Sequence, residues 1–256
     1  MGGFAALASG AMLALGIGVC AAALSVAYSV VVRPVAWPEA GRLAAVLQTS
    51  SQVRRPFTVS PGEFLDWHSR ARSFDLFAGI WKRRGTVRFS SHADTVSVAQ
   101  VSADFWALSA MQPVLGRVFG AGEDRYGRPG VALVSVAMWN NEFGGRRDVL
   151  GRTLLLDGEV RTIVGVLPGA TGSPIPGDCD VWVPLAADPR ARVGGGIVAV
   201  GRLRPGVTFK AAQAEMTALV RQLGSARFTD SKFGVSVQPF GAWVVGDTRS
   251  TVLYLA

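Results

Sequence analysis

The hydrophobic pattern divides the chain into two regimes. Residues 4–32, FAALASGAMLALGIGVCAAALSVAYSVVV, run on without a charged side chain. That stretch exceeds the roughly 20 residues a helix needs to cross about 30 Å of hydrocarbon, so it predicts a transmembrane helix. A cleaved signal peptide would bring a basic n-region and an apolar core of about 7–15 residues. No basic residue precedes Arg33. Gly10, Ala14, Gly18 and Ala22 recur every fourth position and line small side chains along one face, a candidate helix-packing face. A segment so rich in Ala and Gly also produces such a row by chance. Pro34 and Pro38 prevent helix continuation, and Trp37 suits the headgroup region.

Beyond residue 42 the pattern changes to short mixed elements. LAAVLQTS at 43–50 reads as a strand, and SPGEFLDWHSRARSF at 60–74 as a helix. In that helix Ser60 is the N-cap, Pro61 takes the first position, Glu63 completes a capping box, and Phe64, Trp67 and Ala71 share a face. The stretch 76–101 alternates as two or three strands. A second helix starts at Ser102 and ends before Pro113. VALVSVAMWNNEFGG at 131–145 predicts a buried strand and a short helix, capped by Ser135 and stopped by Gly144. TLLLDGEVRTIVGVLP at 153–168 is the sharpest local signal, because Asp157-Gly158 separates two β-rich runs as a type I′ turn requires. VWVPL and GIVAVGRLRPG add strands. Residues 208–223 form an amphipathic helix with Met216, Leu219, Val220 and Leu223 inward and Gly224 as its end. FGVSVQPF is a last strand. Strands and helices mix without regular βαβ alternation, which makes the class α+β.

Charge and candidate chemistry narrow the function. The formal net charge is +8, all of it beyond residue 32, with three lysines against many scattered arginines. No nucleic-acid motif or aromatic-basic platform accompanies that charge, so no nucleic acid partner is expected. Cys20 lies in the apolar run and Cys179 in the polar stretch GDCD, which makes them poor disulfide partners. None of Lys82, Lys210 and Lys232 follows a glycine, so the chain has no phosphate-cradling P-loop and is not itself an ATPase. His68 and His92 stand apart in sequence, and Asp178 and Asp180 flank Cys179 as in a solvated loop, so no metal site is assigned. Glu123 and Asp124 fit an exposed turn, GEDRYGRPG. Trp67, Trp106, Trp139 and Trp182 occupy core-periodic positions. There is no GxSxG elbow. No residue is therefore assigned to catalysis or to a cofactor, and the chain is not expected to be an enzyme.

Several segments in fixed order carry a resemblance: ALGIG at 14–18, VRP at 32–34, WPEAGRL at 37–43, FLDWHSRARSF at 64–74 and VSADFWALSAMQPVLGRVF at 101–119. They continue with Glu123-Asp124, VSVAMWNNEFGG at 134–145, GRTLLLDGEVRTIVGVLP at 151–168, VWVPL at 181–185 and GRLRPGVTFKAAQAEM at 201–216. Together they resemble the MacB-like periplasmic core domain of bacterial ABC transporter permeases, including the duplicated acidobacterial permeases. The resemblance implies a transmembrane helix and membrane exit over 1–34 and an extracytoplasmic domain over 35–247. It implies a porter-like α/β part at about 43–118 and 196–246 and an inserted strand-rich part at about 119–195. Residues 248–256, ending in TVLYLA, would then be the start of a truncated second transmembrane helix. The implied function is a non-catalytic permease component of an export or mechanotransmission system in the bacterial inner membrane. Its implied partners are a separate ABC-type ATPase subunit, further permease helices or a second permease copy, an extracytoplasmic adaptor or substrate, and the lipid bilayer. The basic residues Arg33 and Arg42 by themselves favour a cytoplasmic domain, whereas the resemblance places it outside. A membrane-anchored ligand-binding or adhesion domain is the alternative, and an anchored hydrolase a more distant one.

Overall fold

The computed structural model describes residues 37–89, 91–128, 130–168, 179–227 and 233–244. The expected transmembrane helix, its packing face Gly10, Ala14, Gly18 and Ala22, and the start of a second helix at 248–256 lie outside them. Among the described residues no helix is long and apolar enough to cross a membrane.

Among the described residues the domain is a single sheet of eleven strands, with four helices packed around it. In chain order these are β1 (Leu43–Ser50), β2 (Val53–Phe57), α1 (Pro61–Arg70), β3 (Phe74–Arg88), β4 (Ala93–Val101), α2 (Asp104–Ser109) and β5 (Leu115–Gly116). They continue with β6 (Val131–Ser135), α3 (Val136–Phe143), β7 (Thr153–Leu156), β8 (Glu159–Leu167), β9 (Val181–Pro184), β10 (Val198–Leu203), α4 (Phe209–Arg227) and β11 (Phe233–Pro239). A helical turn follows at 240–244. The main path of the sheet is β11-β1-β10-β3-β4-β9-β6-β8-β5, with β2 on β1 and β7 bridging β3 and β8. Most pairs are antiparallel, but β4–β9 and β6–β8 are parallel.

The local signals act as their chemistry requires. Ser60 Oγ accepts the Glu63 backbone N–H, and Ser135 Oγ accepts that of Met138, each satisfying a donor that a helix start leaves open. Gly144 adopts φ 62° and ends α3. Asp157 and Gly158, at φ 52° and 84°, turn β7 into β8. The Asp157 carboxylate also reaches across to accept from Thr86 N at 2.7 Å and Arg83 Nη1 at 2.6 Å, which pins the turn to β3.

Strand β1 shows why the sheet is buried on both faces. Leu43, Ala45 and Leu47 enter one apolar cluster, and Ala44 and Val46 enter another on the opposite face. The second cluster holds Phe64 and Trp67 of α1 and Met216 and Leu219 of α4. In β4, Ala99 and Val101 share the first cluster while Val96 and Val98 join a third, with Met138 of α3 and Ile163 of β8. Strand β11 ends the sheet, and a side chain bonds to the middle of its outer edge. Gln213 of α4 accepts from Val237 N at 2.7 Å and donates to Val235 O at 2.9 Å. Those two bonds occupy the middle of the backbone edge on which another strand could pair.

Several expectations change. The helix at 208–223 runs on to Arg227, so Gly224 is an interior residue and not a stop. A helical glycine costs only about 1 kcal/mol, which the buried face of α4 outweighs. Helix α2 is shorter than the segment 102–112. Strands β2 and β5 carried no periodic signal strong enough to announce them. Trp37, expected at the lipid headgroups, is 4% exposed inside the first cluster. Cys179 is also buried there, because the chain at that point enters the central strand β9.

Candidate functional site

The two ends of the described domain meet. Trp37, where the chain enters, stacks on Phe240 with ring centroids 5.3 Å apart and 27° between planes. Phe240 in turn stacks on Trp243 at 5.6 Å and 17°. Phe105 of α2 meets the edge of Trp37 at 5.6 Å. The entry at 37 and the exit at 240–244 are thereby tied together by packed aromatic rings, each pair contributing about 0.5–1.5 kcal/mol beyond its buried area.

Directly after Trp37 a ring of four charges fastens the entry to the sheet. Arg202 of β10 donates from Nη1 to Glu39 Oε1 at 2.9 Å and from Nε to Asp75 Oδ1 at 2.9 Å. Arg42 donates from Nη2 to Asp75 Oδ2 at 3.1 Å, pairs with Glu39, and donates from Nε to the Leu203 carbonyl at 2.8 Å. Partial burial pushes the Asp75 carboxyl up, but the Arg202 and Arg42 guanidiniums outweigh it and hold its pKa below the ordinary value. The same contact with Asp75 raises Arg202. Exposed pairs of this kind are individually weak, and a closed network joining the entry turn, β3 and β10 has its value in fixing position.

A second constellation sits where α1, α2 and the 120–128 loop converge. His68 Nε2 lies 3.0 Å from Asp104 Oδ2, linking α1 to the first turn of α2. That hydrogen bond raises the His68 pKa against the opposing effect of burial. Asp124 accepts from Ala103 N at 3.0 Å and Ala186 N at 2.9 Å, and burial pushes its carboxyl up despite those two donors. The expected exposed turn is therefore half structural: Asp124 joins the loop, the start of α2 and the end of β9. Its neighbour Glu123 takes a two-pronged bond from Arg117, at 2.7 and 2.8 Å, and is lowered by it. Each Asp124 oxygen accepts one backbone donor, so this carboxylate ties the loop to the start of α2 and the end of β9.

The other sequence candidates fall in different places. Asp180 accepts from Ser97 N at 2.8 Å at the head of β9, while Asp178 lies outside the described residues. Trp67, Trp106 and Trp182 are buried, and Trp139 is half-buried with its Nε1 donating to the Arg146 carbonyl at 2.8 Å. His92, isolated in sequence, stands in the structure beside Asp94 and Glu142. Its partner Glu142 is carried in from α3, and nothing in the local pattern around either residue signals that meeting.

With this geometry in place, the likeness to known proteins has a structural meaning. The sequence matches the family described as the MacB-like periplasmic core domain over residues 9–219. No curated protein matches it significantly. Among solved structures, a domain of a Porphyromonas gingivalis permease protein is similar with a TM-score of 0.62 and 18% identity, covering 79% of this chain and 92% of that one. The extracellular domain of the noncanonic ABC-type transporter YknZ from Gram-positive bacteria gives 0.55 and 14%, covering 75% and 98%. The periplasmic region of MacB from Actinobacillus actinomycetemcomitans gives 0.54 and 11%, covering 82% and 92%. At these identities the structural likeness establishes a shared fold.

Proposed function

Because the chain belongs to the MacB-like periplasmic core domain family, we propose that it is a non-catalytic permease component of an ABC-type export or mechanotransmission system. In this reading a separate ATPase subunit drives helix motions, and the outer domain relays them or contacts a substrate or extracytoplasmic adaptor. The observation that carries the proposal is the stack of Trp37, Phe240 and Trp243. It brings the chain's entry and exit to one place, as a domain held between two neighbouring membrane helices requires. On this reading the apolar run at 4–32 would supply the first of those helices. The Glu39, Arg42, Asp75 and Arg202 ring would then pass displacement of the first helix directly into β3 and β10.

The division into a porter-like part at about 43–118 and 196–246 and a strand-rich part at about 119–195 belongs to the same proposal. On it, the β4–β9 pairing joins the two parts through one continuous sheet.

Topology provides the test. Tyr126 is 63% exposed in the loop beside Gly127, whose φ of 79° would strain a side chain. Tyr126→Cys is introduced after replacing Cys20 by Ser and the buried Cys179 by Ala. Intact cells, or spheroplasts where an outer membrane intervenes, are treated with a membrane-impermeant maleimide. Labelling before lysis is the expected result. Labelling only after the inner membrane is opened would put the domain in the cytoplasm and overturn the proposal.

A further inference from the structure

The tip of the long β3–β4 hairpin meets the last turn of α3 through three potential ligands. His92 lies in the connection, Asp94 is the second residue of β4, and Glu142 comes from α3. His92 Nε2 is 3.3 Å from Asp94 Oδ2 and 3.5 Å from Glu142 Oε2, and all three ligand atoms lie within 4.8 Å of one another. A charge-assisted N–H···O bond closes to about 2.7–2.9 Å, and both separations are longer than that. They do match the edge of a coordination tetrahedron, which for metal–ligand bonds of about 2.0–2.1 Å measures about 3.3–3.4 Å.

The surroundings prepare the imidazole for that role. Ser91 Oγ lies 3.1 Å from Nδ1, so Nδ1 can donate there and leave the Nε2 lone pair facing the carboxylates. Phe89 stacks on the imidazole at 4.9 Å and 27°, which fixes the plane of the ring. A groove of about 550 Å³ opens on Phe89, Ser91, His92 and Glu142, with Asp94 outside its lining, and leaves room for water as a fourth ligand. Arg88 and Arg152 line that groove as well and offset part of the carboxylate charge, so micromolar affinity is the appropriate expectation.

We propose that His92, Asp94 and Glu142 form a divalent-metal site, best suited to zinc by its one nitrogen and two oxygen ligands, that clips the hairpin tip to α3. The inference stands independently of the transport reading. Its test uses the full chain in mild detergent, purified without a histidine tag, stripped with a chelator and titrated with Zn²⁺ against a chromophoric competitor. The expected result is one equivalent bound with a dissociation constant of about 10 µM or tighter. His92→Ala and Glu142→Gln should each weaken it by about tenfold or more, and His68→Ala should leave it unchanged. Zinc should also raise the thermal midpoint of the unsubstituted chain and not that of His92→Ala. Absence of stoichiometric binding, or binding retained within about twofold in both ligand variants, would overturn the proposal.

Discussion

Trp37 offers the sharpest quantitative test, because two opposing effects at one side chain can be separated. Its ring is 4% exposed, stacked on Phe240 and met at its edge by Phe105. Trp37→Ala removes both aromatic contacts and leaves a cavity, a change that costs about 3–5 kcal/mol at a buried aromatic. The indole Nε1, however, is buried without a hydrogen-bond partner among the described residues. An unsatisfied buried donor costs about 1–3 kcal/mol, and Trp37→Phe removes that donor while keeping one stacked ring. The lost ring area is worth a similar amount, so Trp37→Phe should change stability by no more than about 1 kcal/mol. Urea unfolding of the full chain in mild detergent, followed by far-ultraviolet circular dichroism, measures both. A loss below about 1.5 kcal/mol for Trp37→Ala, or equal losses for the two variants, would refute the packing argument. The same reasoning sets the domain boundary: a fragment over 35–247 should unfold cooperatively, whereas one beginning at residue 40 lacks the indole and should be weaker by a comparable amount.

Two further outcomes follow from the constellation around α2. Asp124→Ala leaves the Ala103 and Ala186 N–H groups without their acceptor and should cost about 2–3 kcal/mol in the same urea assay, far more than an exposed loop residue would. His68 has a raised pKa, so the folded state holds its proton more tightly than the unfolded chain does. The stabilisation is then complete below the unfolded value and lost as pH rises through the folded one. The chain should lose stability more steeply as pH rises above about 6.5 than His68→Gln does, and parallel pH profiles would contradict the assignment.

Some of this protein is determined within a few residues of sequence. The Ser60 and Ser135 caps, the Gly144 stop and the Asp157-Gly158 turn each depend on one backbone conformation and one neighbouring donor, which is why their positions were legible. The burial of Phe64, Trp67, Met216 and Leu219 follows from helical spacing in the same way. The family was legible too, through short segments dispersed in a constant order. Other features depend on partners far away along the chain. Nothing near Asp124 distinguishes a solvated turn from a carboxylate holding Ala103 and Ala186, and nothing near His92 announces Glu142. Trp37 reads as a headgroup residue until Phe105 and Phe240 arrive to cover it. Gly224 reads as a stop until the packing of α4 outweighs its small cost. Caps and turns are settled by local sterics and hydrogen bonding, whereas burial, carboxylate partners and the parallel pairings of β4 with β9 and β6 with β8 are settled only when distant strands close into one sheet.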